Sequence, residues 1–412
     1  MADDGKVSLA SDGALARLIA RQKPGHALEQ EFYDAPELFP RDMRHFFMRH
    51  WLCAGHVGRV PTPGDYFLYE PAGESVIVVR GQDGNLRALA NVCRHRGSRL
   101  CREAEGHAKV FVCPYHAWAF NLDGGLRAAR HMPADFDGAA LGLKKIALAV
   151  VEGLIFISFA EQPLALNEVR RTLAQGYRPH GWADARVAHR ARYTIDANWK
   201  LAVENYVECY HCAPAHPEYS LLHANEQPRA KLARMTAEMD ARAQALGIAI
   251  ENRDHWALDA APGEEAAYCV RYPMYEGKRS GSNDGGPVAP LMGAFKDYDS
   301  GSTFIHVGPA SFFLAYPDHG VMYLFVPKSL HSCEMEVVWL VRGDAVEGRD
   351  YDRERLIWLW HITSAADKRI IEDNQKGVSS MYYEPGPYAP MEVNCRRFLT
   401  WYLKEIAAPP AR

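Results

Sequence analysis

The sequence predicts an α+β fold in which a small all-β domain precedes a larger mixed domain. Between about residues 50 and 160, short apolar runs are separated by Gly and Pro turn signals such as Asp83-Gly84. Beyond residue 160, strand-like runs are bracketed by stretches with helical spacing. This order favours an antiparallel sheet flanked by helices. We therefore divide the chain into a helical lead-in (1–45) that packs on the larger domain, an all-β domain (46–160) and the larger domain (161–412).

The individual elements follow from hydrophobic periodicity. Leu15, Leu18 and Ile19 recur at helical spacing and predict the lead-in helix. Strands of the all-β domain are predicted at 51–57, 65–70, 75–80, 86–92, 110–112, 117–121 and 153–159. In the larger domain we predict helices at 198–212, 230–246 and 353–379, and strands at 304–307, 311–316, 321–327 and 333–341.

Composition excludes several classes of function. The 412 residues are 48% hydrophobic and 24% charged, which is ordinary for a globular protein. A net charge of −4 gives no basic footprint for nucleic acid. No run approaches the roughly 18 apolar residues of a membrane span. The acidic N-terminus lacks a signal-peptide pattern, so we expect a cytoplasmic protein. Nine cysteines, an odd number, argue against a disulfide framework and for free thiolates, some of which are candidate metal ligands.

Two Cys/His motifs in the all-β domain carry the strongest chemical signal. Cys93-Arg-His95 is followed, after seventeen residues, by Cys113-Pro-Tyr-His116. Rieske [2Fe–2S] clusters hold one iron by two Cys thiolates and the other by two His. A structural zinc site is the alternative, but zinc ligands more often come as paired cysteines within one loop. One Cys and one His from each loop therefore favour a two-iron cluster.

The flanking residues resemble the Rieske loops of ring-hydroxylating oxygenases. The resemblance rests on 93–97 and 113–118, and it implies Cys93, His95, Cys113 and His116 as cluster ligands. The family usually has Gly where this chain has Ala117. Respiratory Rieske proteins carry an additional Cys in each loop, where this chain has Ser98 and Tyr115. Membrane electron transport is thereby disfavoured.

A second motif in the larger domain resembles the catalytic signature of the same family. It includes Asn198-Trp-Lys200, the run from Glu204 to His211, and His216-Pro217. Two His and one carboxylate on one face of ferrous iron leave positions for O₂ and substrate. His211 and His216 are separated by about 140° on an ideal helix, so one continuous helix cannot direct both to a metal. We therefore predict that Pro214 breaks the helix.

The same segment contains Cys209-x-x-Cys212, which imitates a redox motif. Because no βαβ pattern surrounds it, we interpret the two cysteines as small buried residues.

The third ligand is predicted from the helix at 353–379, which offers Asp367, Glu372 and Asp373. Asp367 is the only acid on its apolar face, where a buried charge needs a cation or a metal. Asp373 is spaced for ion pairs with Arg369 and Lys376. We select Asp367, and the family resemblance agrees.

Two glutamates precede His211 on the predicted helix. Glu208 lies three residues before it and shares its face. In the family an acid at this place, usually Asp, links a His of each metal site across a subunit boundary. The resemblance therefore implies a His116–Glu208–His211 bridge in a head-to-tail homotrimer; a surface glutamate is the alternative. Glu204 lies one turn earlier, and either its protonation or a capping role is open.

The resemblance implies a Rieske non-haem iron oxygenase with a [2Fe–2S] cluster and a mononuclear Fe(II). Electrons come from NAD(P)H through a separate flavin or iron–sulfur reductase. The run 204–212 looks like the branch that N-demethylates glycine betaine, carnitine and stachydrine, so we expect a stachydrine-type substrate and release of formaldehyde. An aromatic-ring or aryl-acid oxygenase is one alternative, and a Rieske electron-transfer protein with a non-catalytic second domain is another. Candidate cage aromatics, each also typical of a sheet core, are Trp256, Tyr268, Tyr272, Phe304, Phe312 and Tyr316.

Overall fold

The structure, a computed structural model, describes residues 11–225, 227–250 and 260–408. Two antiparallel sheets dominate these residues, and each belongs to one part of the predicted α+β architecture. The predicted fold class is confirmed. Trp256, one of the candidate cage residues, lies outside the described residues.

The first sheet has seven strands in the order β1-β10-β9-β4-β3-β2-β5. Its strands are β1 (Leu52–His56), β2 (Asp65–Tyr69), β3 (Val76–Arg80), β4 (Leu86–Ala90), β5 (Glu105–His107), β9 (Lys145–Val151) and β10 (Leu154–Ser158). A smaller sheet contains β6 (Phe111–Val112), β7 (Ala119–Phe120) and β8 (Leu126–Ala128). The two Cys/His motifs lie in the loops that follow β4 and β6, which places both on the all-β part of the chain.

The second sheet has six strands in the order β11-β16-β15-β14-β13-β12. They are β11 (Arg186–Ile195), β12 (Ala267–Pro273), β13 (Gly301–Val307), β14 (Ser311–Ala315), β15 (Gly320–Ser329) and β16 (Ser332–Val341). Successive residues of a strand point to opposite faces. Accordingly, Tyr323 and Phe325 of β15 enter one apolar core, and Met322 and Leu324 enter another. The sheet is therefore covered on both faces.

Ten α-helices are found among the described residues. They are α1 (Asp12–Arg21), α2 (Glu31–Asp34), α3 (Leu38–Asp42), α4 (Asn167–Gly176), α5 (Trp199–Tyr206), α6 (Cys212–Ala215), α7 (Pro217–Ser220), α8 (Arg229–Ala245), α9 (Arg353–Val378) and α10 (Val393–Ala407). Helix α9 packs against β11, α5 and α7, whereas α4 packs against β12 and β13. No helix in the described part of the chain is long and apolar enough to cross a membrane.

The lead-in contacts the larger domain through a buried carboxylate. Asp42, at the end of α3, accepts hydrogen bonds from the Trp199 indole (3.0 Å) and the Tyr402 hydroxyl (2.7 Å), and it pairs with the Lys200 ammonium. All four groups are buried. A buried charge requires such partners, so this network ties the lead-in to α5 and α10.

The helix predicted at 198–212 is shorter in the structure, and this difference positions the candidate ligands. Helix α5 ends at Tyr206, and a turn leads to α6 and α7. Pro214 lies within α6, so the prediction that it breaks the helix is wrong. The break falls at His216, with φ −148° and ψ 76°, because a residue that precedes a proline avoids the α conformation. His216 therefore projects from the junction of two short helices.

Candidate metal centres and active site

The two Cys/His loops have matching backbone hydrogen bonds. In the first loop, the Gly97 N–H donates to the Cys93 carbonyl (3.0 Å), and the Cys93 N–H donates to the Ser98 carbonyl (2.9 Å). In the second loop, the Ala117 N–H donates to the Cys113 carbonyl (3.0 Å), and the Cys113 N–H donates to the Trp118 carbonyl (2.8 Å). Each loop therefore closes around its own Cys and His in the same way.

The four side chains of these loops meet as a cluster requires. Cys93 and Cys113 are buried, and their thiols interact directly with each other. The rings of His95 and His116 are exposed, with centroids 4.8 Å apart. Two sulfurs inside and two imidazoles at the surface match a [2Fe–2S] cluster whose two irons have different ligands. The donor set thus fits the group that the sequence implies.

Ala117 explains why glycine is usual after the second histidine. Its φ of +56° lies in the left-handed region, as does the φ of +78° of Gly97 in the matching loop. A non-glycine residue pays about 1–2 kcal/mol in this conformation. Part of this cost is offset because alanine restricts the unfolded chain more than glycine does.

We therefore expect Ala117→Gly to stabilise the cluster domain by about 0.5–1 kcal/mol. Gly97→Ala is the matched control, because a Cβ at Gly97 meets no atom within 4 Å, so its cost is confined to the backbone. Thermal loss of the cluster's visible absorbance measures both effects. The midpoint should rise by on the order of 2 °C in Ala117→Gly and fall in Gly97→Ala. Equal midpoints in the three proteins would contradict the conformational argument.

The three side chains of the second predicted site converge on one point. The Asp367 Oδ1 lies 3.0 Å from the His216 Nε2 and 3.3 Å from the His211 Nε2. Burial raises the pKa of the Asp367 carboxyl, but hydrogen bonds from the two histidines hold it below its ordinary value. Two imidazole nitrogens and a carboxylate oxygen so close together are a donor set for a divalent metal such as ferrous iron.

The other acids of α9 have different partners. Glu372 accepts from the Asp196 N–H (3.0 Å) and pairs with Lys368. Asp373 is exposed and pairs with Lys376 at 2.8 Å. Neither carboxylate is directed to the histidines, so Asp367 is the acid that α9 contributes to the site.

The interpretation of Cys209 and Cys212 as no more than small buried residues is wrong, because they form a disulfide, although Cys212 is buried. The turn after α5 brings their Cα atoms to 5.0 Å, within the range of disulfides, and the two sulfurs are bonded. The Cys212 sulfur also lies in a cluster with nitrogens of His211 and His216, all within 4.8 Å of one another. Because this sulfur is bonded to Cys209, it is not a free thiolate, whereas the Asp367 carboxylate lies within 3.3 Å of both histidine nitrogens.

Glu208 and Glu204 have different environments. The Glu208 Oε1 lies 2.5 Å from the His211 Nδ1, and its side chain is only 11% exposed, unlike a surface glutamate. Glu204 accepts hydrogen bonds from the hydroxyls of Tyr33 (2.8 Å) and Tyr388 (3.1 Å). Burial raises the pKa of Glu204 to about 7. Of the two acids, Glu204 is thus the one whose surroundings favour protonation. Within the described residues, its side chain bonds to two tyrosine hydroxyls and not to a helix end.

A cavity of about 270 Å³ opens beside His211, His216 and Asp367. Four of the candidate aromatics line it: Tyr268, Tyr272, Phe304 and Phe312. Tyr316 does not line it, because it is buried with its hydroxyl 2.8 Å from the His223 Nε2. Sequence reasoning missed the other aromatic lining residues, which are Tyr206, Tyr219, Phe313, Tyr323 and Trp360.

Two of these missed lining residues could have been predicted from their positions in the sequence. Trp360 lies seven residues before Asp367 on α9, so it shares the helix face of the acid. Tyr206 follows Asn205 in the motif itself.

Two family models together match most of the chain. Residues 50–147 match the Rieske [2Fe-2S] domain, and residues 182–408 match the catalytic domain of the ring-hydroxylating alpha subunit. The chain therefore belongs to the Rieske non-haem iron oxygenases, whose cofactors are a [2Fe–2S] cluster and a catalytic non-haem iron, with electrons supplied by a reductase. The predicted family and cofactors are confirmed.

Within this family, the chain is similar to oxygenase subunits of quaternary ammonium monooxygenases. It is 36% identical to the glycine betaine monooxygenase oxygenase subunit of Chromohalobacter salexigens, and the match covers 97% of this chain and 90% of that protein. The corresponding protein of Pseudomonas aeruginosa is 37% identical over 95% of this chain and 92% of its own length. The carnitine monooxygenase oxygenase subunit of Escherichia coli is 37% identical over 49% of this chain and 55% of its own length.

Solved structures share the fold. A quaternary ammonium Rieske monooxygenase in complex with L-carnitine has a TM-score of 0.68 and 21% identity, with 93% of this chain and 97% of that chain covered. Naphthalene 1,2-dioxygenase with bound indole has a TM-score of 0.66 and 20% identity, with 94% and 93% covered. Because both the betaine and the arene branches are represented, the shared fold does not select a substrate.

Proposed function

We propose that this chain is the oxygenase subunit of a monooxygenase that N-demethylates a quaternary ammonium carboxylate of the stachydrine (proline betaine) type. O₂ and reductase-supplied electrons oxidise an N-methyl carbon, and the resulting hemiaminal releases formaldehyde. The observation that carries the proposal is the cavity beside the His/His/Asp cluster. Its described lining combines aromatic side chains with two carboxylates and contains neither Lys nor Arg.

The proposal includes the metal ligands. Cys93, His95, Cys113 and His116 would hold the [2Fe–2S] cluster, and His211, His216 and Asp367 would hold the catalytic iron. One support is the convergence of each donor set. The other is that Lys368 and Lys376 of α9 pair with Glu372 and Asp373, which leaves Asp367 to the two histidines. Bound iron would supply the site for O₂ and leave the orientation of substrate to the cavity wall.

The aromatic wall suits the cationic end of a betaine. Tyr268, Val270 and Tyr272 are alternate residues of β12 that face the cavity, while the residues between them are buried on the other side of the strand. Phe304 and Phe312 continue this wall on β13 and β14. Ring faces attract quaternary ammonium groups by about 0.5–2 kcal/mol each, depending on desolvation.

The polar lining suits a substrate whose carboxylate charge is balanced by its own quaternary ammonium group. The carboxylates of Glu208 and Asp367 line the cavity, and its described lining contains neither Lys nor Arg. Amide groups of Asn205, Asn225 and Asn394 are available as neutral donors. A betaine is a zwitterion and enters such a cavity at lower electrostatic cost than an aryl acid of net negative charge. The aryl-acid alternative is therefore disfavoured.

We also propose that electrons cross between subunits of a head-to-tail homotrimer along His116, Glu208 and His211. Glu208 contacts His211 within one chain, and His116 is exposed, as a bridge to another chain requires. The neighbours of these bridging residues support an interface: Tyr115 is 55% exposed and Tyr210 is 58% exposed. Exposed aromatic residues are typical of protein contact surfaces. A separate reductase would reduce the cluster.

The substrate proposal is tested with the purified oxygenase, a reductase, NAD(P)H and a panel of stachydrine, glycine betaine, carnitine and benzoate. We expect formaldehyde from betaines only, in a one-to-one ratio with the oxidised NAD(P)H, and the highest rate with stachydrine. A higher rate with glycine betaine would correct the substrate and leave the reaction class in place. Aromatic diols without formaldehyde would contradict the reaction class.

A further inference from the structure

The disulfide between Cys209 and Cys212 lies in the wall of the active-site cavity. Both residues line this cavity together with His211, His216 and Asp367. We propose that Cys209 and Cys212 form a reversible dithiol–disulfide site that reacts with hydrogen peroxide formed in the cavity. The source of the peroxide rests on the proposed oxygenase function, since incomplete reduction of O₂ at the catalytic iron would release it there.

The location makes this pair selective among the nine cysteines. Cys209 is half-buried and Cys212 is buried, but both line the cavity. The other seven are also buried, and none of them belongs to the described lining. Cys93 and Cys113 belong to the cluster loops, whereas Cys53, Cys101, Cys269, Cys333 and Cys395 lie in the interior. Burial also raises the pKa of the Cys53 and Cys333 thiols to about 12, which keeps them in the less reactive thiol form. An oxidant in the cavity therefore meets Cys209 and Cys212 first.

A purely stabilising role of the disulfide explains Cys209 and Cys212 less well than a redox role does. A disulfide stabilises a fold chiefly by closing a loop in the unfolded chain, and the gain is smallest for short loops. Only two residues separate Cys209 from Cys212. The turn is also held by backbone bonds, since the Cys212 N–H donates to the Cys209 carbonyl (3.3 Å) and the His216 N–H donates to the Cys212 carbonyl (2.9 Å). The turn therefore has support in both redox states.

The chemistry is balanced with peroxide as the oxidant. One thiolate attacks a peroxide oxygen, the O–O bond breaks, and a sulfenic acid forms with release of water. The second thiolate then attacks this sulfur, the S–O bond breaks, and a second water leaves. Two thiols lose two electrons and two protons, and one peroxide is reduced to two waters. A thiol reductant restores the pair.

Two consequences follow for the catalytic site. A resolving partner converts the sulfenic acid to a disulfide before peroxide can oxidise it irreversibly to sulfinic acid. The disulfide also removes the Cys212 sulfur as a thiolate donor from the cluster that it forms with His211 and His216. The oxidised pair thus leaves a two-His, one-carboxylate donor set.

The test treats the dithiothreitol-reduced, desalted holoenzyme with increasing hydrogen peroxide. The reaction is stopped in denaturant with light N-ethylmaleimide, which blocks the remaining thiols. Reversibly oxidised cysteines are then reduced, labelled with heavy N-ethylmaleimide and located by peptide mass spectrometry. The peptide with Cys209 and Cys212 should gain heavy label at peroxide concentrations on the order of tenfold lower than peptides with Cys333 or Cys395. Dithiothreitol should reverse this oxidation.

The variant Cys209→Ser distinguishes a protective pair from two oxidisable thiols. Without its partner, Cys212 should gain two oxygen atoms irreversibly at the same peroxide dose. Oxidation of Cys333 or Cys395 as early as the pair, or full dithiothreitol recovery of Cys212 in Cys209→Ser, would overturn the proposal. The peroxide is added and no substrate is present, so a wrong substrate assignment leaves this outcome unaffected.

Discussion

Asp367→Ala is expected to abolish product formation while the visible spectrum of the Rieske cluster is retained. The substitution removes the carboxylate that lies 3.0 Å and 3.3 Å from the two histidine nitrogens and leaves only two imidazoles to hold the metal. Loss of an outer partner of a metal ligand typically costs about 10–100-fold in metal affinity or activity. Loss of a direct ligand should exceed this cost. Iron content and formaldehyde formation measure the two effects.

Asp373→Ala is the matched control on the same helix. Asp373 is exposed and pairs with Lys376, so its loss should leave both iron content and turnover at the level of the unmodified protein. If Asp367→Ala kept its full activity, or if Asp373→Ala lost the same iron, the assignment of the third ligand would be wrong.

The second large effect is expected for Glu208→Gln, which should slow electron transfer while both metal centres remain loaded. Glutamine keeps the size of the side chain but removes the charge that supports the imidazole of His211 at 2.5 Å. Burial lowers the pKa of His211, but bonds to Asp367 and Glu208 raise it to about 9, which reflects how strongly these acids polarise the ring. We expect roughly a 10–100-fold slower rate.

Stopped-flow oxidation of the reduced cluster by O₂ and substrate separates this effect from metal loss. Glu218→Gln is the control, because Glu218 lies on α7 outside the cavity lining. In Glu208→Gln the cluster should be reduced normally by chemical reductant and reoxidised slowly. An unchanged reoxidation rate would exclude Glu208 from the route between the centres.

The sequence was most informative where a local pattern and a chemical requirement agree. The Cys/His loops are short, and a cluster accepts few ligand types. Spacing was therefore enough to identify the candidate ligands, which are Cys93, His95, Cys113 and His116. The selection of Asp367 required only the face of α9, because an acid among buried apolar residues needs a partner. Each of these donor sets converges in the structure, and their role as iron ligands stays a prediction.

Other features depend on contacts between distant segments. Strand β11 was not predicted, because its polar residues obscure the strand pattern; they are Arg186, His189, Arg190 and Arg192. Two of these residues pair with acids that are distant in the sequence, as Arg190 does with Glu105 (2.7 Å). The environment of Glu204 depends on Tyr33 and Tyr388, from opposite ends of the chain. The break at His216 was assigned to the wrong proline, because Pro214 is compatible with the first turn of a short helix.

The central claim is that one chain carries two separate iron centres. The most direct test is the ratio of iron and acid-labile sulfide to protein after anaerobic reconstitution and removal of free metal. A [2Fe–2S] cluster and a mononuclear iron predict about three irons and two sulfides per chain. About two irons and two sulfides in fully folded protein would contradict the account and favour an electron-transfer protein with a non-catalytic second domain.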